Sequence, residues 1–299
     1  MVIKVFNYPV LVSAWQVSLL NYQKHISSYI PLANCAKRIF FKQEIVMNKI
    51  IYVIGDVFEN FKEIEGAVHY SEWADSVRKN VYAYPVVACP GQGLTFEQQA
   101  YIDKINHQYI DVAEQWNDEK KLATSKQTHK YRCENILITT PEEIAHNTFQ
   151  SDLLLHADNE LLLDHTTGYH IQGMVFLEAT RQIASAVTDM IRPSIGKYYV
   201  MHDIYAEYHN FAFPIETQVI LKITENRFND EGEEIFVINV EFMQNGKRIV
   251  VTGGSFTATD KQKIIQKEQR LAHITIQKSI RTLQKKLQPV PVLSSVVGG

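Results

Sequence analysis

Residues 165–182 read H-T-T-G-Y-H-I-Q-G-M-V-F-L-E-A-T-R-Q, two histidines and two glycines leading straight into a stretch of helical periodicity with little charge. The spacing predicts one long helix from about Gln172 to Ile191. Met174, Val175, Phe176, Leu177, Ala179, Ile183, Ala184, Val187 and Met190 would cover most of its circumference, so such a helix must be buried. The polar residues left over, Glu178, Arg181, Gln182, Ser185 and Asp189, fall at i, i+3, i+4, i+7 and i+11 and share one narrow stripe. That stripe either faces solvent or, in its first turn, lines a cleft.

Downstream of the helix only strands are expected: Tyr198 to Phe213, Thr217 to Phe228, Glu234 to Met243 and Arg248 to Thr259. Gln244-Asn245-Gly246-Lys247 joins the last two as a hairpin, because Asn-Gly accepts positive φ at both turn positions. Gly253-Gly254 marks a bulge or bend. Upstream come strand-like K-Y-R-C-E-N-I-L-I-T from Lys130, then T-F-Q-S-D-L-L-L-H from Thr148 and E-L-L-L-D-H from Glu160. A single apolar helix accompanied by antiparallel strands is satisfied when the sheet curls around it, which gives an α+β fold.

The residues entering the helix carry the chemistry. Asp164-His165 and His170 precede it, and Gly168 and Gly173 let the backbone turn and approach a ligand without a side chain in the way. The free N–H groups of a helix N-terminus, with the positive end of its dipole, can polarise a thioester carbonyl and hold an oxyanion. A histidine can move a proton, and Glu178 can orient a nucleophile or act as acid/base partner if a dry setting lifts its pKa.

The rest of the chain divides by pattern. Residues 1–46 read as an extension outside the folded core, despite an uncharged run from Val5 to Leu20 that faintly resembles a signal-peptide apolar region. Residues 47–115 read as a small α/β unit: strand I-I-Y-V-I-G from Ile50, helix E-G-A-V-H-Y-S-E-W-A-D-S-V-R-K from Glu65, and strand V-Y-A-Y-P-V-V-A-C-P from Val81. Thr95 and Gln98 then form a capping-box pattern ahead of a helix to about Tyr109. Gly91-x-Gly93 lacks the third glycine and the Lys-Ser/Thr of a phosphate loop and reads as a plain turn. Residues 116–127 are charged and aperiodic, a linker; 128–260 hold the helix and its strands; 261–299 form a basic helix and tail.

Composition narrows the classes. With 45% hydrophobic residues, 21% charged residues and a formal net charge of -3, the chain gives no general case for a nucleic-acid partner. Cys35, Cys89 and Cys133 are odd in number and lack metal-ligand spacing, so no disulfide framework and no metal site are expected, and a reducing cytoplasm fits best.

Residues 128–258 resemble the hotdog fold and, within it, the A-factor biosynthesis hotdog family, which makes butyrolactone-type signals. The resemblance rests on T-H-K from Thr128 opening the first strand, on D-H-x-x-G-x-H-x-Q-G-M from Asp164 to Met174, and on L-E-A-T-R-Q from Leu177. β-Hydroxyacyl carrier-protein dehydratases show a similar H-x-x-G and G-x-x-x-x-E, matching His165, Gly168, Gly173 and Glu178. They carry prolines where Thr167, His170 and Gln172 stand here and lack the Arg-Gln pair, which places dehydration behind acyl transfer.

What the resemblance implies is a long central helix wrapped by a curved antiparallel sheet, preceded here by the small α/β unit. It implies transfer of a β-ketoacyl group from acyl carrier protein to a hydroxyl acceptor such as dihydroxyacetone phosphate. The chain would be a homodimer with His165 of one protomer near Glu178 of the other. His165, His170 and Glu178 would be catalytic, with Gly173 and Met174 supplying the oxyanion N–H groups. His129, Lys130, Arg181 and Gln182 would bind substrate, an acceptor phosphate or phosphopantetheine, the alternative for Arg181 being an i, i+3 ion pair with Glu178. No cofactor is implied beyond the carrier's phosphopantetheine. A hotdog thioesterase, a dehydratase and a non-catalytic acyl- or carrier-binding protein stay open as alternatives.

Between Lys261 and Leu287 stand eight Lys/Arg (261, 263, 267, 270, 278, 281, 285, 286) against Glu268 alone. This basic helix is expected to pack on its own protein, in preference to docking on an acidic carrier protein or a membrane surface.

Overall fold

The computed structural model describes residues 49–82, 86–109, 121–163, 168–193 and 197–287. Residues 1–46, the first half of the expected linker and the Asp164-His165 pair lie outside the described residues.

Three short strands, β1 (Lys49–Ile54), β2 (Ala67–His69) and β3 (Val86–Pro90), form a parallel sheet in the order β2-β1-β3. Helix α1 (Tyr70–Arg78) follows β2 directly, so the first five residues expected in that helix instead lead through the β2 strand. Helix α2 (Phe96–Tyr109) starts where Thr95 and Gln98 cap each other reciprocally, at 2.9 and 3.2 Å. Trp73, Ala74, Val53, Leu94 and Ile102 form one core of this part. Ile54, Phe58 and Phe61 instead join the larger core built around the long helix.

From Lys121 the chain is packed structure. Leu122 bridges to Thr139, Ala123 is buried, and a Thr124/Gln127 capping box starts the short helix α3 (Ser125–Thr128). His129 ends α3 in the left-handed region, φ 55°, which histidine tolerates better than most side chains. Thr-His-Lys therefore does not open a strand. The following K-Y-R-C-E-N-I-L-I-T is likewise a turn of 3-10 helix at Cys133–Asn135 with isolated bridges at Ile138 and Thr139. Its backbone is satisfied partly by other backbone, Thr139 N–H donating to the Asp152 carbonyl at 3.0 Å and Leu154 N–H to the Leu137 carbonyl at 2.9 Å, and partly by side chains of the long helix.

Then come β4 (Glu142–Ala145), β5 (Thr148–Asp152), the short helix α4 (Glu160–Leu163) and the long helix α5 (Gly173–Ile191). Strands β6 (Lys197–Tyr208), β7 (Gln218–Phe228), β8 (Glu234–Gln244) and β9 (Lys247–Asp260) complete a six-stranded antiparallel sheet in the order β4-β5-β7-β8-β9-β6. Asp260 accepts from the N–H groups of Gln262 and Lys263 and starts helix α6 (Lys261–Leu287).

Strict alternation makes β8 the clearest strand: Phe236, Ile238, Val240 and Phe242 are buried, with half-buried residues between them. They meet Val175, Phe176, Ala179 and Ile183 of α5, and Phe176 packs edge-on against Phe242 at 4.9 Å between ring centroids. The Asn245-Gly246 turn has φ of 49° and 70°, as a tight hairpin demands. The register shift lies opposite Ser255-Phe256, next to the glycine pair, and the extra residue is His202 on β6; Gly254 and Gly253 pair regularly with Ile204 and Tyr205, and a Cβ on them would meet the Asp203 carbonyl and the Tyr205 ring. Strand β6 ends at Tyr208, short of the expected Phe213, because the chain leaves the sheet so that Ala212 can accept from Ile171 just ahead of α5. A long central helix wrapped by a curved antiparallel sheet, preceded by a small parallel α/β element, is the hotdog fold.

Candidate functional site

The polar stripe of α5 does not face solvent. Gln182 is fully buried and Ser185 nearly so, because the segment from Gln127 to Leu137 lies over them. The Gln182 amide donates to the carbonyl of Asn135 at 2.9 Å and accepts from the N–H of Leu137 at 2.9 Å. Ser185 donates to the carbonyl of Gln127 at 2.8 Å, and Arg181 Nη2 to that of Thr128 at 2.9 Å. Three side chains spaced along one helix face thus supply what a strand partner would otherwise give this irregular backbone.

Glu178 joins them. Its Oε1 accepts from Arg181 Nη2 at 2.7 Å, from Lys130 Nζ at 2.8 Å and from Gln182 Nε2 at 3.0 Å, and its Oε2 accepts from Arg181 Nε at 3.0 Å. Burial by itself pushes this carboxyl's pKa up, but the hydrogen bonds and charges of Arg181 and Lys130, with Gln182, outweigh it and hold it down at about 2. The sequence allowed Glu178 an acid/base role on the condition that a dry setting lift its pKa; the shift runs the other way. At neutral pH it is a fixed anion between two cations.

Beside this cluster, His129 stacks on Tyr199 with ring centroids 5.5 Å apart and 23° between planes. Burial, then the charge of Arg181, lowers the His129 pKa and favours the neutral ring. The Tyr199 hydroxyl is buried with no hydrogen-bond partner among the described residues, and burial, then Asp189, pushes its pKa up. Nothing in the sequence marked Tyr199, which lies 70 residues from His129 on β6.

The first turn of α5 is different. Gln172 is its N-cap residue but makes no side-chain cap, its amide being turned to the carbonyl of Leu161. Gly173 and Met174 therefore begin the helix without a side-chain acceptor for their N–H groups. Met174 is 56% exposed. The Tyr208 hydroxyl donates to the Gly173 carbonyl at 3.0 Å, and a Cβ at Gly173 would come within 2.6 Å of that oxygen, so a larger residue would push β6 away. His170 is exposed, with its ring against Phe211 at 5.2 Å.

The structure thus brings Lys130, Glu178, Arg181 and Gln182 together, with His129 next to them, and sets Gly173 and Met174 about 7 Å away along the helix axis, His170 preceding the helix. His165 lies outside the described residues. Neither an open groove of about 850 Å³ between α1 and α2, lined by Asp56, Asp75, Arg78 and Tyr101 among others, nor a small pocket near Thr180 is lined by any of these residues. Among the described residues no group of three or more His, Cys, Asp or Glu side chains is placed to hold a metal.

Residues 112–260 match the sequence profile of the A-factor biosynthesis hotdog domain. Among solved structures, a thioesterase of Haemophilus influenzae is 15% identical with a TM-score of 0.36, covering 47% of this chain and 94% of its own. A mutant thioesterase of Pseudomonas aeruginosa is 12% identical with a TM-score of 0.35, covering 48% and 97%. AziG of S. sahachiroi is 13% identical with a TM-score of 0.32, covering 41% and 91%. No curated protein sequence matches the chain.

Proposed function

Through residues 112–260 the chain belongs to the A-factor biosynthesis hotdog family, and on that premise we propose that it transfers a β-ketoacyl group from acyl carrier protein to a hydroxyl acceptor such as dihydroxyacetone phosphate. The observation that carries the proposal is the start of α5 at Gly173 and the exposed Met174, which has no side-chain cap from Gln172 and suits an oxyanion. In this reading His170 or His165 takes the proton of the acceptor hydroxyl as its oxygen attacks the thioester carbonyl. The tetrahedral oxyanion is held by the N–H groups of the first turn. Collapse breaks the C–S bond, and the phosphopantetheine thiolate leaves and recovers the proton from the imidazolium.

Glu178 does not move a proton in this scheme. It fixes Lys130 and Arg181, and because one carboxylate faces two cations the cluster retains a positive charge that suits a phosphate on the acceptor or on phosphopantetheine. His129 and Gln182 support it from either side. A homodimer is part of the proposal: β6 is an edge strand whose exposed Met201, Ile204, Tyr205 and Tyr208 suit pairing with a second copy.

The complete pairing of Glu178 favours one other reading, a protein that holds an acyl chain or its carrier without turning it over. The two are separated by incubating the full chain with a β-ketoacyl carrier protein and dihydroxyacetone phosphate, following thiol release and ester by mass spectrometry. Ester is the expected product. Saturable carrier binding without product would establish the binding protein, free acid without acceptor a thioesterase, and loss of water from a hydroxyacyl substrate a dehydratase.

A further inference from the structure

Helix α6 runs 27 residues, about 40 Å, and only Ile264 in its first turn is buried. Its one acid, Glu268, is held to the body by the Tyr198 hydroxyl at 2.8 Å. Beyond that point every residue is exposed, so the helix does not pack along its own protein as the sequence led us to expect.

At about 100° per residue, Ile265, Ala272, Ile276, Ile280, Leu283 and Leu287 fall on one side of α6. Lys263, Lys267, Arg270, Lys278, Arg281 and Lys285 fall on the other, with Ile274 among them and Leu271 at their edge. The apolar side is not waste surface: Ile276, Leu283 and Leu287 are 59%, 54% and 81% exposed and continue one stripe. A second copy of the helix is a poor cover for it. Two such helices side by side would bring sixteen Lys/Arg together with only the two engaged glutamates to offset them.

We propose that α6 lies in the surface of an anionic lipid bilayer, its Ile/Leu stripe among the acyl chains and its Lys/Arg side in the headgroup layer. Charge complementarity selects this occupant, because a negatively charged sheet of lipid both neutralises the basic side and receives the apolar stripe, which is densest from Ile276 to Leu287. The helix lies on the membrane and does not span it: no helix among the described residues is long and apolar enough to cross. The proposal stands independently of the acyl-transfer reading, since no residue of α6 belongs to that site.

The test is co-sedimentation of the full chain with vesicles of phosphatidylcholine alone and of an equal mixture of phosphatidylcholine and phosphatidylglycerol. We expect at least about ten-fold stronger partition onto the anionic vesicles, falling steeply with added salt. Two variants at exposed positions leave the core untouched: Lys278→Glu with Arg281→Glu, and Ile276→Ser with Ile280→Ser and Leu283→Ser. Each should lose about ten-fold in partition while the thermal unfolding of the core is unchanged. Equal partition onto both vesicle types, or none, overturns the proposal. So does saturable binding of holo acyl carrier protein, or self-association abolished by the serine variant, in the absence of vesicle binding.

Discussion

The first turn of α5 and the two turns that follow belong to one continuous motif, yet they are built for different work. At Gly173 and Met174 the helix starts without a side-chain cap and in the open, with His170 exposed just ahead. At Glu178, Arg181 and Gln182 the carboxylate, the guanidinium Nε and Nη2 and the amide are engaged with one another, with the backbone of Thr128, Asn135 and Leu137 and with the side chain of Lys130. The difference teaches that a polar residue on a buried helix is reactive only where its partners are missing. The Glu-x-x-Arg-Gln element is, in this chain, a clamp that holds an irregular segment onto the helix.

The largest effect should come from the open end. His170→Ala is expected to lower acyl transfer by about 1000-fold with stability within about 0.5 kcal/mol of the parent, measured by product formation and urea unfolding. Full activity in that variant would pass the proton-transfer role to His165; a matching loss of stability would abolish the distinction between the two ends.

Gln182→Ala should do the reverse. It leaves the Asn135 carbonyl and the Leu137 N–H buried and unpaired, at a cost of about 3 kcal/mol in chemical denaturation. The activity that remains per folded molecule should be close to normal if the clamp only positions.

Glu178→Ala strips the anion from between two partly buried cations and should cost about 2 kcal/mol, the pair being open enough for solvent to screen it. The same carboxylate makes a pH prediction. Its folded pKa, about 2, lies below the ordinary 4.5, so its stabilisation is complete above about pH 5 and is lost as pH falls through the folded value. Unfolding free energy measured from pH 6 down to pH 2 should fall less steeply in Glu178→Gln than in the parent. Parallel curves would show that the clamp carries no charge-dependent stability.

The smallest change tests how β6 sits against the open turn. Tyr208→Phe removes the exposed bond to the Gly173 carbonyl and should cost less than about 1 kcal/mol. Gly173→Ala forces the Tyr208 ring aside and should reduce activity; combining it with Tyr208→Phe should restore part of that loss, and an unrelieved double variant would place the fault elsewhere.

Much of the fold could be read from short-range pattern. The period of α5, the alternation of β8, the Asn245-Gly246 turn and the Thr95/Gln98 cap each depend on residues within one turn or one strand of each other, and all stand as expected. The segment from Thr128 to Thr139 misled, because its apolar Ile136, Leu137 and Ile138 are buried as in a strand while its hydrogen bonds are divided between helix side chains and isolated backbone bridges. The bulge was expected at Gly253-Gly254, whereas the inserted residue is His202 on the neighbouring strand, opposite Ser255-Phe256.

The sequence by itself determined that a buried helix with an acid, a guanidinium and an amide on one face would be wrapped by antiparallel strands, since apolar periodicity alone demands that burial. Only the tertiary structure decided the state of Glu178. Burial raises a carboxyl's pKa and neighbouring cations lower it: Arg181, one turn along the same helix, lowers it most, and Lys130, 48 residues earlier in the chain, adds to this by coming within 2.8 Å. No local pattern encodes that approach, because it depends on how a whole segment folds back over the helix.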